Sequence, residues 1–276
     1  MLLPLLAIAS LPVRAQLDVG DRFTGTLESI YSGLDIIWPD DLKLDGLRAR
    51  VGLGFGLTPD YIGSNDYHLT FVPLLDIRYK DRLRLDGSLL TYSLIKSDSW
   101  SAGPMLNLAL GRPASRNPIL EGIRDIDTVF ELGGFVRYQT RSGQATLSMR
   151  QALGDGLGTT VRLSVAHGIY KSGDFVALIS ARGRWLSNSS MQRHYGITEA
   201  DELTSQAGLP AFAATSGVSD ASLDLVGALK LDERTRLLSL ISYGQLFSDA
   251  ADSPLVRGGA GSRQQFLVGI GFTSQF

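Results

Sequence analysis

Few side chains in this sequence are suited to acid–base or nucleophilic chemistry. The chain has three histidines, His68, His167 and His194, and no cysteine. A hydrolase needs a positioned nucleophile or an activated water beside a general base. Although Ser64 and Asp66 lie just before His68, no histidine falls in a recognisable nucleophile motif. We therefore predict that the histidines hydrogen-bond to their neighbours, and we assign no catalytic, cofactor-binding or metal-binding residue.

Two groups of acidic residues are candidates for cation binding. Asp125 and Asp127 flank one isoleucine, and Asp249, Asp252 and Ser253 form the second group. Neither group has the ligand spacing of a defined calcium loop. Short acidic side chains in loops more commonly accept hydrogen bonds from nearby backbone N–H groups. We predict capped turns with solvated carboxylates at both places.

The composition excludes several classes of protein. Without cysteine there is no disulfide, no cysteine-ligated zinc or iron–sulfur cluster, and no thiol nucleophile or lipid-modified cysteine. The 26 basic and 28 acidic residues give no electrostatic footprint for nucleic acid. Glycine is abundant, with 31 residues, and only 20% of the chain is charged. Both values suit a closed sheet whose outer face meets lipid.

The N-terminus resembles a secretory signal. Met1–Val13 carries no charge and is followed by Arg14 and the small residue Ala15, so we predict a signal peptide over residues 1–15. No basic residue precedes the apolar run. The run is also too short, and too interrupted by proline, to cross a membrane as a helix, which takes about 20 residues. Residues 16–276 are then expected to form a single domain.

The rest of the chain alternates with a period of two. The first clear case begins at Arg48, where Ala49, Val51 and Leu53 share one face and arginine and glycine share the other. The segment 67–79 carries aromatic residues at both ends of its apolar face, as expected at the two interfaces of a membrane barrel. Eleven strands are predicted, beginning near Arg48, Tyr67, Arg82, Trp100, Phe130, Ala145, Thr159, Asp174, Ser222, Thr235 and Gln265.

Single-chain bacterial barrels have an even number of strands, with both termini and the short turns in the periplasm. The short turns at 141–143, 171–173 and 232–234 fall on the side of the C-terminus, and the long connections 112–128, 186–221 and 245–264 fall on the other side. Parity requires one more strand, for which the best candidate lies within Phe23–Ile37. We predict an all-β protein, an antiparallel outer-membrane β-barrel of twelve strands. Ten strands remain the alternative if the weak segments 174–185 and 235–243 are loops.

Charged residues fall on the predicted inner face. They are Arg48, Arg50, Arg78, Arg84, Arg137, Arg150 and Arg162, with Asp76, Asp86, Glu131 and Asp224. In one interpretation they pair within a partly plugged lumen, because an unpaired charge is costly in a low dielectric. In the other they line a narrow pore that favours anions. Glycines 52, 54 and 56 precede no helix pattern, so they indicate tight curvature or close approach of another segment and not a dinucleotide site.

The C-terminal strand is the most specific local feature. Phe266, Val268, Ile270, Phe272 and the terminal Phe276 share one face. This ending resembles the signal by which the outer-membrane assembly machinery recognises its barrel substrates.

From about Val51 to Phe276 the chain also resembles the MipA/OmpV family of outer-membrane proteins, named for the MltA-interacting protein. The resemblance rests on VGLG at 51–54, PDYIGS at 59–64, Pro73, GIRDID at 122–127, ELG at 131–133, HG at 167–168, YGI at 195–197 and DAADSPL at 249–255. The family often has Tyr-Tyr-Gly-Val where this chain has His194-Tyr195-Gly196-Ile197.

The resemblance implies a non-enzymatic scaffold that links a murein lytic transglycosylase to a penicillin-binding synthase in the outer membrane of a Gram-negative bacterium. It supplies no catalytic residues. A small channel for solutes or antibiotics is the alternative, and a hydrolase built around one of the histidines is a second rival. Lipid and lipopolysaccharide are the expected surroundings. Short turns offer less than the roughly 800 Å² per partner of a stable interface, so a scaffold would need a tethered segment, Gln16 to about Thr24, or oligomers.

Overall fold

The fold is a closed antiparallel barrel. The structure, a computed structural model, describes Ile36 and residues 46–154, 158–257 and 261–276. Its strands are β1 (Leu47–Pro59), β2 (Tyr67–Tyr79), β3 (Leu83–Asp86), β4 (Leu89–Tyr92), β5 (Ile95–Lys96), β6 (Trp100–Ala109), β7 (Val129–Gln139), β8 (Gly143–Ala152), β9 (Thr159–Ser172), β10 (Phe175–Leu186), β11 (Gly217–Lys230), β12 (Thr235–Leu246) and β13 (Gln264–Gln275).

The barrel wall has twelve strand positions. Consecutive strands pair, except that β4 pairs with β6 and not with β5, and β1 pairs with β13. The short segments β4 and β5 follow one another and both pair with β6, so they act as one interrupted strand. Closure leaves no free lateral edge between the first and last strands. The predicted fold class and the count of twelve are confirmed.

The origin of the twelfth strand was predicted wrongly. The segment 82–92 was expected to be one strand, but it folds into the hairpin of β3 and β4, with Asp86 opposite Leu89. Gly87 has a φ of +56° in the tight turn between them, a conformation that glycine adopts without strain. The candidate segment Phe23–Ile37 lies outside the described residues except for Ile36, which is helical. Because β1 pairs directly with β13, the sheet needs no strand before Leu47.

The two ends of the barrel differ as predicted. At one end, the short-turn end, the connections are 80–82, 97–99, 140–142, 173–174 and 231–234. The chain also enters β1 there, and the N–H of Phe276 donates to the carbonyl of Ala49 at 2.8 Å. At the other end, the long-loop end, the connections 60–66, 110–128, 187–216 and 247–263 are much longer.

Short helices stand in the long loops. They are α1 (Asn188–Tyr195), α2 (Glu199–Thr204) and α3 (Ser248–Asp252), with 3₁₀ turns at Ala114–Arg116 and Pro118–Leu120. A capping box fixes the start of α2: the Thr198 hydroxyl accepts from the Asp201 N–H, and the Asp201 carboxylate accepts from the Thr198 N–H. None of the helices within the described residues is long and apolar enough to cross a membrane.

The outer face of the barrel is apolar and has aromatic rings at both ends. The exposed rings at the short-turn end are Tyr79, Tyr92, Trp100, Tyr138, Tyr170, Phe175 and Phe276. Those at the long-loop end are Tyr67, Phe130, Trp185, Tyr243, Phe247 and Phe266. Leucine, valine and isoleucine side chains lie exposed between them. The alternation predicted from the sequence therefore places apolar side chains outside on every long strand.

Inner-face glycines on β1 and β13 let the wall close around a side chain of β2. The Leu74 side chain lies over Gly54 and Gly271: a Cβ atom added at Gly54 would be 3.7 Å from Leu74, and one at Gly271 would be 3.0 Å from it. A Cβ at Gly52 would lie 2.0 Å from the backbone oxygen of Phe272. The predicted role of these glycines in close approach is confirmed.

Replacing Gly52 should impair closure, whereas replacing Gly54 should not. In Gly52→Ala the new methyl group meets backbone that cannot move aside, and overpacking of this kind costs about 1–3 kcal/mol. In Gly54→Ala the nearest atom, the Ile270 oxygen, is 3.5 Å away, an ordinary contact. The measurement is the melting temperature in detergent, together with the fast-migrating folded band on unheated gels. Equal behaviour of the two variants would contradict this assignment.

Candidate functional site

The lumen is filled by apolar side chains along half of the wall. The buried cluster consists of Val72, Leu74, Val176, Leu178, Val226, Ala228, Leu238, Leu240 and Leu267, and Leu110 packs against it. These residues come from β2 and from β10 to β13 and point inward. Leu178, Val226 and Ala228 are 0% exposed. In a water-filled pore such wall residues would be wet, so this half of the lumen is closed.

Charged side chains of the inner wall pair both within a strand and between neighbouring strands. Asp76 accepts from Arg50 at 2.9 Å and from Arg78 at 3.1 Å. Arg84 donates to Asp86 at 2.7 Å. Such pairing compensates the cost of removing charges from water.

A second set of charges lies further around the wall. The Glu131 carboxylate accepts from Asn107 at 2.8 Å and lies 3.8 Å from the Arg150 guanidinium. Asp224, which is fully buried, accepts from Arg182 at 3.0 Å and from Ser242 at 2.6 Å. All eleven charged residues predicted to face inward lie on inward positions of the strands, and the filled lumen agrees with the first of the two interpretations.

Sequence reasoning missed further inward charged groups. Arg182 and Arg184 on β10 point into the lumen, where Arg184 donates to Asp220 of β11 at 2.7 Å. They were missed because β10 is apolar on both faces: Val176 and Leu178 belong to the lumen cluster, and Ile179 faces outward. The sequence did contain a signal for this inward face, because arginines stand at the alternate positions 182 and 184.

The four long loops fold together into a cap over the long-loop end. One core of the cap contains Leu186, Met191, Tyr195, Ala214, Leu246, Ala250, Ala251 and Val256. A second core contains Tyr61, Leu120, Ile123, Ile197, Leu209 and Leu255. The Tyr61 hydroxyl donates to the carbonyl of Leu255 at 2.8 Å, and the Ser253 hydroxyl donates to the carbonyl of Tyr195 at 2.6 Å. The cap is thus a packed unit and not a set of separate loops.

Burial changes the ionisation of groups in the cap. Desolvation raises the pKa of the Tyr61 phenol above its usual value, so the ring keeps its proton. Desolvation lowers the pKa of Arg112 to about 10, and this guanidinium still carries its charge at neutral pH. Arg112 donates to the carbonyl of His194 at 3.2 Å. Both groups line a cavity of about 50 Å³ between the cap and the lumen.

Asp201 connects two loops of the cap. Burial by itself would raise the pKa of its carboxyl, but hydrogen bonds from Thr198 and from the N–H of Arg124, with the nearby Arg124 charge, hold the pKa below the usual value. The Arg124 N–H lies 3.1 Å from the carboxylate. The Thr204 hydroxyl adds a bond to the carbonyl of Gly122 at 2.6 Å.

His68 faces the lumen, as predicted, but its partners are different residues. Its Nδ1 lies 2.8 Å from the Asp60 carboxylate, and its Nε2 lies 2.9 Å from the Thr70 hydroxyl. Thr70 in turn shares a hydrogen bond of 2.7 Å with Thr58. The order carboxylate, imidazole, hydroxyl is that of an activated nucleophile. However, Thr70 is only 6% exposed, so its oxygen offers no approach to a substrate.

The other two histidines are separate from this group. His167 faces outward on β9, opposite Gly143 of β8. The Nδ1 of His194 lies 2.8 Å from the carbonyl of Ser190 in the last turn of α1. The three histidines are therefore not brought together.

The acidic residues of the two groups accept hydrogen bonds from residues distant in sequence, where capped local turns with solvated carboxylates were expected. Asp125 accepts from the Ala114 N–H at 2.6 Å, and Asp249 accepts from the Thr215 N–H at 2.6 Å. Asp252 accepts from Arg263 at 2.7 Å. Over the described ranges, the structure places no group of three or more histidine and acidic side chains where it would hold a metal ion.

Comparison with known families identifies the chain. A family model described as MltA-interacting protein MipA matches residues 51–276. Because this match covers most of the sequence, the chain belongs to the MipA family. The resemblance noted from about Val51 to Phe276 is confirmed. No curated protein sequence matches the chain.

Solved structures similar to this barrel are distant. The translocator domain of the autotransporter NalP from Neisseria meningitidis is 10% identical, with a TM-score of 0.47, over 93% of this chain and 95% of that one. A bacterial polysaccharide outer membrane secretin is 10% identical, with a TM-score of 0.41, over 85% and 99%. The NanC porin has 10% identity and a TM-score of 0.37 over 83% and 98%.

Removing the Tyr61 hydroxyl should loosen the cap. Tyr61→Phe leaves the buried carbonyl of Leu255 without its donor, which costs about 1–3 kcal/mol. We expect faster proteolysis of the cap loops in detergent while the barrel itself remains folded. The matched control is Tyr243→Phe, whose exposed hydroxyl contacts only Gln245 at 3.4 Å. Proteolysis as slow as in the parent chain would show that this bond does not hold the cap.

Proposed function

We propose that this MipA-family barrel resides in the outer membrane of a Gram-negative bacterium and serves there as a non-enzymatic scaffold for cell-wall enzymes. The partners would be a periplasmic murein lytic transglycosylase and a penicillin-binding synthase. The observation that carries the proposal is the combination of a family described by its interaction with MltA and a lumen closed by buried side chains.

Several features support the proposed location. The outer face is apolar and carries aromatic rings at both ends. Outer-membrane barrels have the same arrangement, with an apolar band that faces the lipid and a girdle of aromatic residues at each membrane interface. The short turns and the C-terminus share one end, which corresponds to the periplasmic end in such barrels. The proposed signal peptide over residues 1–15 would export the chain, leaving residues 16–276 as the mature barrel.

The filled lumen favours a scaffold over a channel. The cluster around Leu178 and Val226, whose side chains are fully buried, fills one side of the lumen, paired charges line the other side, and the cap covers the long-loop end. The absence of a usable nucleophile at His68 also disfavours the hydrolase. Lipid and lipopolysaccharide are the proposed surroundings of the outer face.

A surface that binds periplasmic partners has to be larger than the short turns can provide. The short turns contain only two to four residues each, whereas a stable interface buries about 800 Å² per partner. Because the chain enters β1 at the short-turn end, residues before Leu47 are attached to the barrel on the periplasmic side. We therefore propose that Gln16 to about Thr24 contributes to partner binding.

Crosslinking in intact cell envelopes tests the scaffold. We expect murein synthases and lytic transglycosylases to be enriched with this protein over an unrelated barrel of equal abundance. Deleting residues 16–24 from the mature chain should abolish the enrichment, because it removes the proposed tether. The control replaces Asp232, Glu233 and Arg234, which form an exposed turn at the same end, by serine. Equal recovery with the unrelated barrel would refute the scaffold.

Conductance separates the scaffold from the channel. Reconstituted into planar bilayers, the parent chain should show no steady conductance steps, because the apolar cluster fills one side of the lumen and the packed cap covers its long-loop end. An open porin reconstituted at the same protein density serves as the positive control. Steady, reproducible steps from the parent chain would favour the channel and contradict a closed lumen.

A further inference from the structure

The barrel wall has a gap beside β2, in the half nearer the long-loop end. The hairpin of β3 and β4 pairs with β2 only along 76–79, and the N–H of Gly87 at its tip donates to the carbonyl of Leu75 at 2.7 Å. β2 continues well beyond this point, to the exposed ring of Tyr67. Within the described ranges, no strand pairs with this side of β2 along 67–74. One flank of β2 therefore lacks a strand neighbour at membrane depth.

β6 forms the other border of the gap. β4 pairs with it along 105–107, and the N–H of Leu108 donates to the carbonyl of Ser88 at 3.2 Å. Beyond Leu108 the hairpin no longer reaches this strand. Where the two hairpin strands are missing, β2 and β6 are three strand spacings of about 4.8 Å apart, or roughly 14 Å. The gap is therefore wide enough to admit more than one side chain.

The sequence of β2 suits an unpaired flank. Alternate residues of an antiparallel strand direct their N–H and C=O groups to opposite sides, so Leu69, Phe71 and Pro73 face the same side as Leu75. Pro73 has no N–H to leave unpaired, and proline within sheets is confined to such edges. The side chains of Leu69 and Phe71 are 53% and 60% exposed, whereas Leu75, beside the hairpin, is half-buried. The exposure of this stretch follows from the missing neighbour.

Side chains close the gap on its inner side. Val72 and Leu74 are buried there, and Leu110, which follows β6, packs against the lumen cluster to which they belong. Asn117 of the same loop donates to Asp60 at 2.8 Å, which ties the loop to the end of the β1–β2 hairpin. Backbone without a strand partner is tolerated at membrane depth where protein or a cavity covers it. The gap is thus a groove that is open to lipid and has an aliphatic floor.

The cavity beneath the cap lies behind the β6 border of this groove. Its lining includes Leu110, Gly111 and Arg112, with Leu267 on another side. The segment 110–112 therefore separates the cavity from the groove. The cavity volume of about 50 Å³ corresponds to three to five waters at roughly 10–15 Å³ each. It has room for a carboxylate and the first carbon atoms of a chain, and not for the glycerophosphate head of a phospholipid.

Arg112 has spare hydrogen-bond donors in this cavity. Its Nη1 donates to the carbonyl of His194 at 3.2 Å, and its guanidinium lies 6.0 Å from the centre of the Tyr61 ring. Its Nε is buried without a hydrogen-bond partner, and no described residue forms a salt bridge with it. Asp60, which also lines the cavity, is paired with His68. A buried cation without a counter-charge is costly, and a carboxylate supplies both the charge and paired acceptors.

We propose that the groove and the cavity together bind a single-chain lipid carboxylate, a fatty acid, taken laterally from the membrane. The carboxylate accepts hydrogen bonds from Arg112, the chain passes the Leu110 side chain, and its remainder lies in the groove beside Phe71. The proposal rests on the membrane location proposed above. It does not depend on the scaffold role, which concerns the short-turn end.

The binding test uses the full mature chain in maltoside micelles at alkaline pH, titrated with dodecanoate or with dodecanol at equal mole fraction. We expect a saturable rise in melting temperature with dodecanoate and no saturable rise with dodecanol. Arg112→Gln should weaken dodecanoate binding by about tenfold or more, because charge-assisted paired bonds are lost. Arg257→Gln, also on the cap and 58% exposed, is the matched control and should bind as the parent does.

Photo-crosslinking tests the route. Dodecanoate with a diazirine on its terminal carbon should label 69–73 and 106–110 more strongly than the outer faces of β10 and β11. With the diazirine next to the carboxylate, labelling should move to 58–62 and 110–112. Equal labelling all around the barrel would show a lipid that merely surrounds the protein and would overturn the proposal. Labelling of the cap alone by both probes would show entry from the aqueous side and would overturn the lateral route.

A purely structural role for Arg112 predicts a different pattern. In that case Arg112→Gln would melt at a lower temperature without lipid but gain as much from dodecanoate as the parent does, and this result would overturn the proposal. If Arg112→Gln does not fold, Arg112→Lys keeps the charge but loses the fork of donors, and dodecanoate binding should weaken by about threefold. Equal binding by Arg112→Lys and the parent, or no saturable effect of dodecanoate in the parent, would also contradict the site.

Discussion

Every other feature of this molecule depends on pairing the first strand with the last. Backbone N–H and C=O groups left unpaired in a lipid environment are costly, so a sheet in that environment must have no free edge. Here Leu53 stands opposite Phe272 and Phe55 opposite Ile270, which joins β1 to β13. Glycines at 52 and 56 permit the close approach. Once the sheet is closed, the side chains of its outer face and those of its interior pack in separate environments.

Different kinds of side chain fill the two sides of the barrel interior. On the side of β10 to β13, aliphatic side chains fill the space, and Leu74 reaches across the glycines of β1 to join them. On the side of β3 to β9, arginines and acids pair along the wall around a small polar cavity. The cap closes the long-loop end with two apolar cores of its own. The motifs of the family resemblance at 59–64, 122–127, 195–197 and 249–255 lie far apart in sequence and meet in this cap.

Much of this architecture was predictable from the alternation of apolar and polar residues at every second position. On β1, β2, β7 and β13 one face is apolar and the other polar or glycine-rich, so the alternation was clear and the structure confirms it. On β10 and β12 the alternation was weak for a physical reason: Val176, Leu238 and Leu240 fill the lumen while Ile179 and Ile241 face outward. Both faces of those strands are apolar because the barrel is plugged.

The errors concern contacts that no local pattern encodes. The segment 82–92 reads as one strand because the alternation continues through the two-residue turn at Gly87. The partner of His68 was missed because Asp60 lies across the β1–β2 hairpin, whereas Thr70, two residues away on the same face, was visible in the sequence. The inward position of Arg137, Arg150 and Arg162 was predictable, but the cavity they share depends on the register of β7, β8 and β9.

The central claim is that the lumen is closed and dry around its apolar cluster. The natural lack of cysteine makes this directly measurable with single-cysteine variants. Ser180 lies in the lumen and is 1% exposed, whereas Ala207 is exposed on the cap. We predict that a water-soluble maleimide labels Ala207→Cys rapidly in the folded protein but labels Ser180→Cys only after unfolding. Labelling of Ser180→Cys at a rate similar to that of Ala207→Cys would show a water-filled lumen and contradict the account.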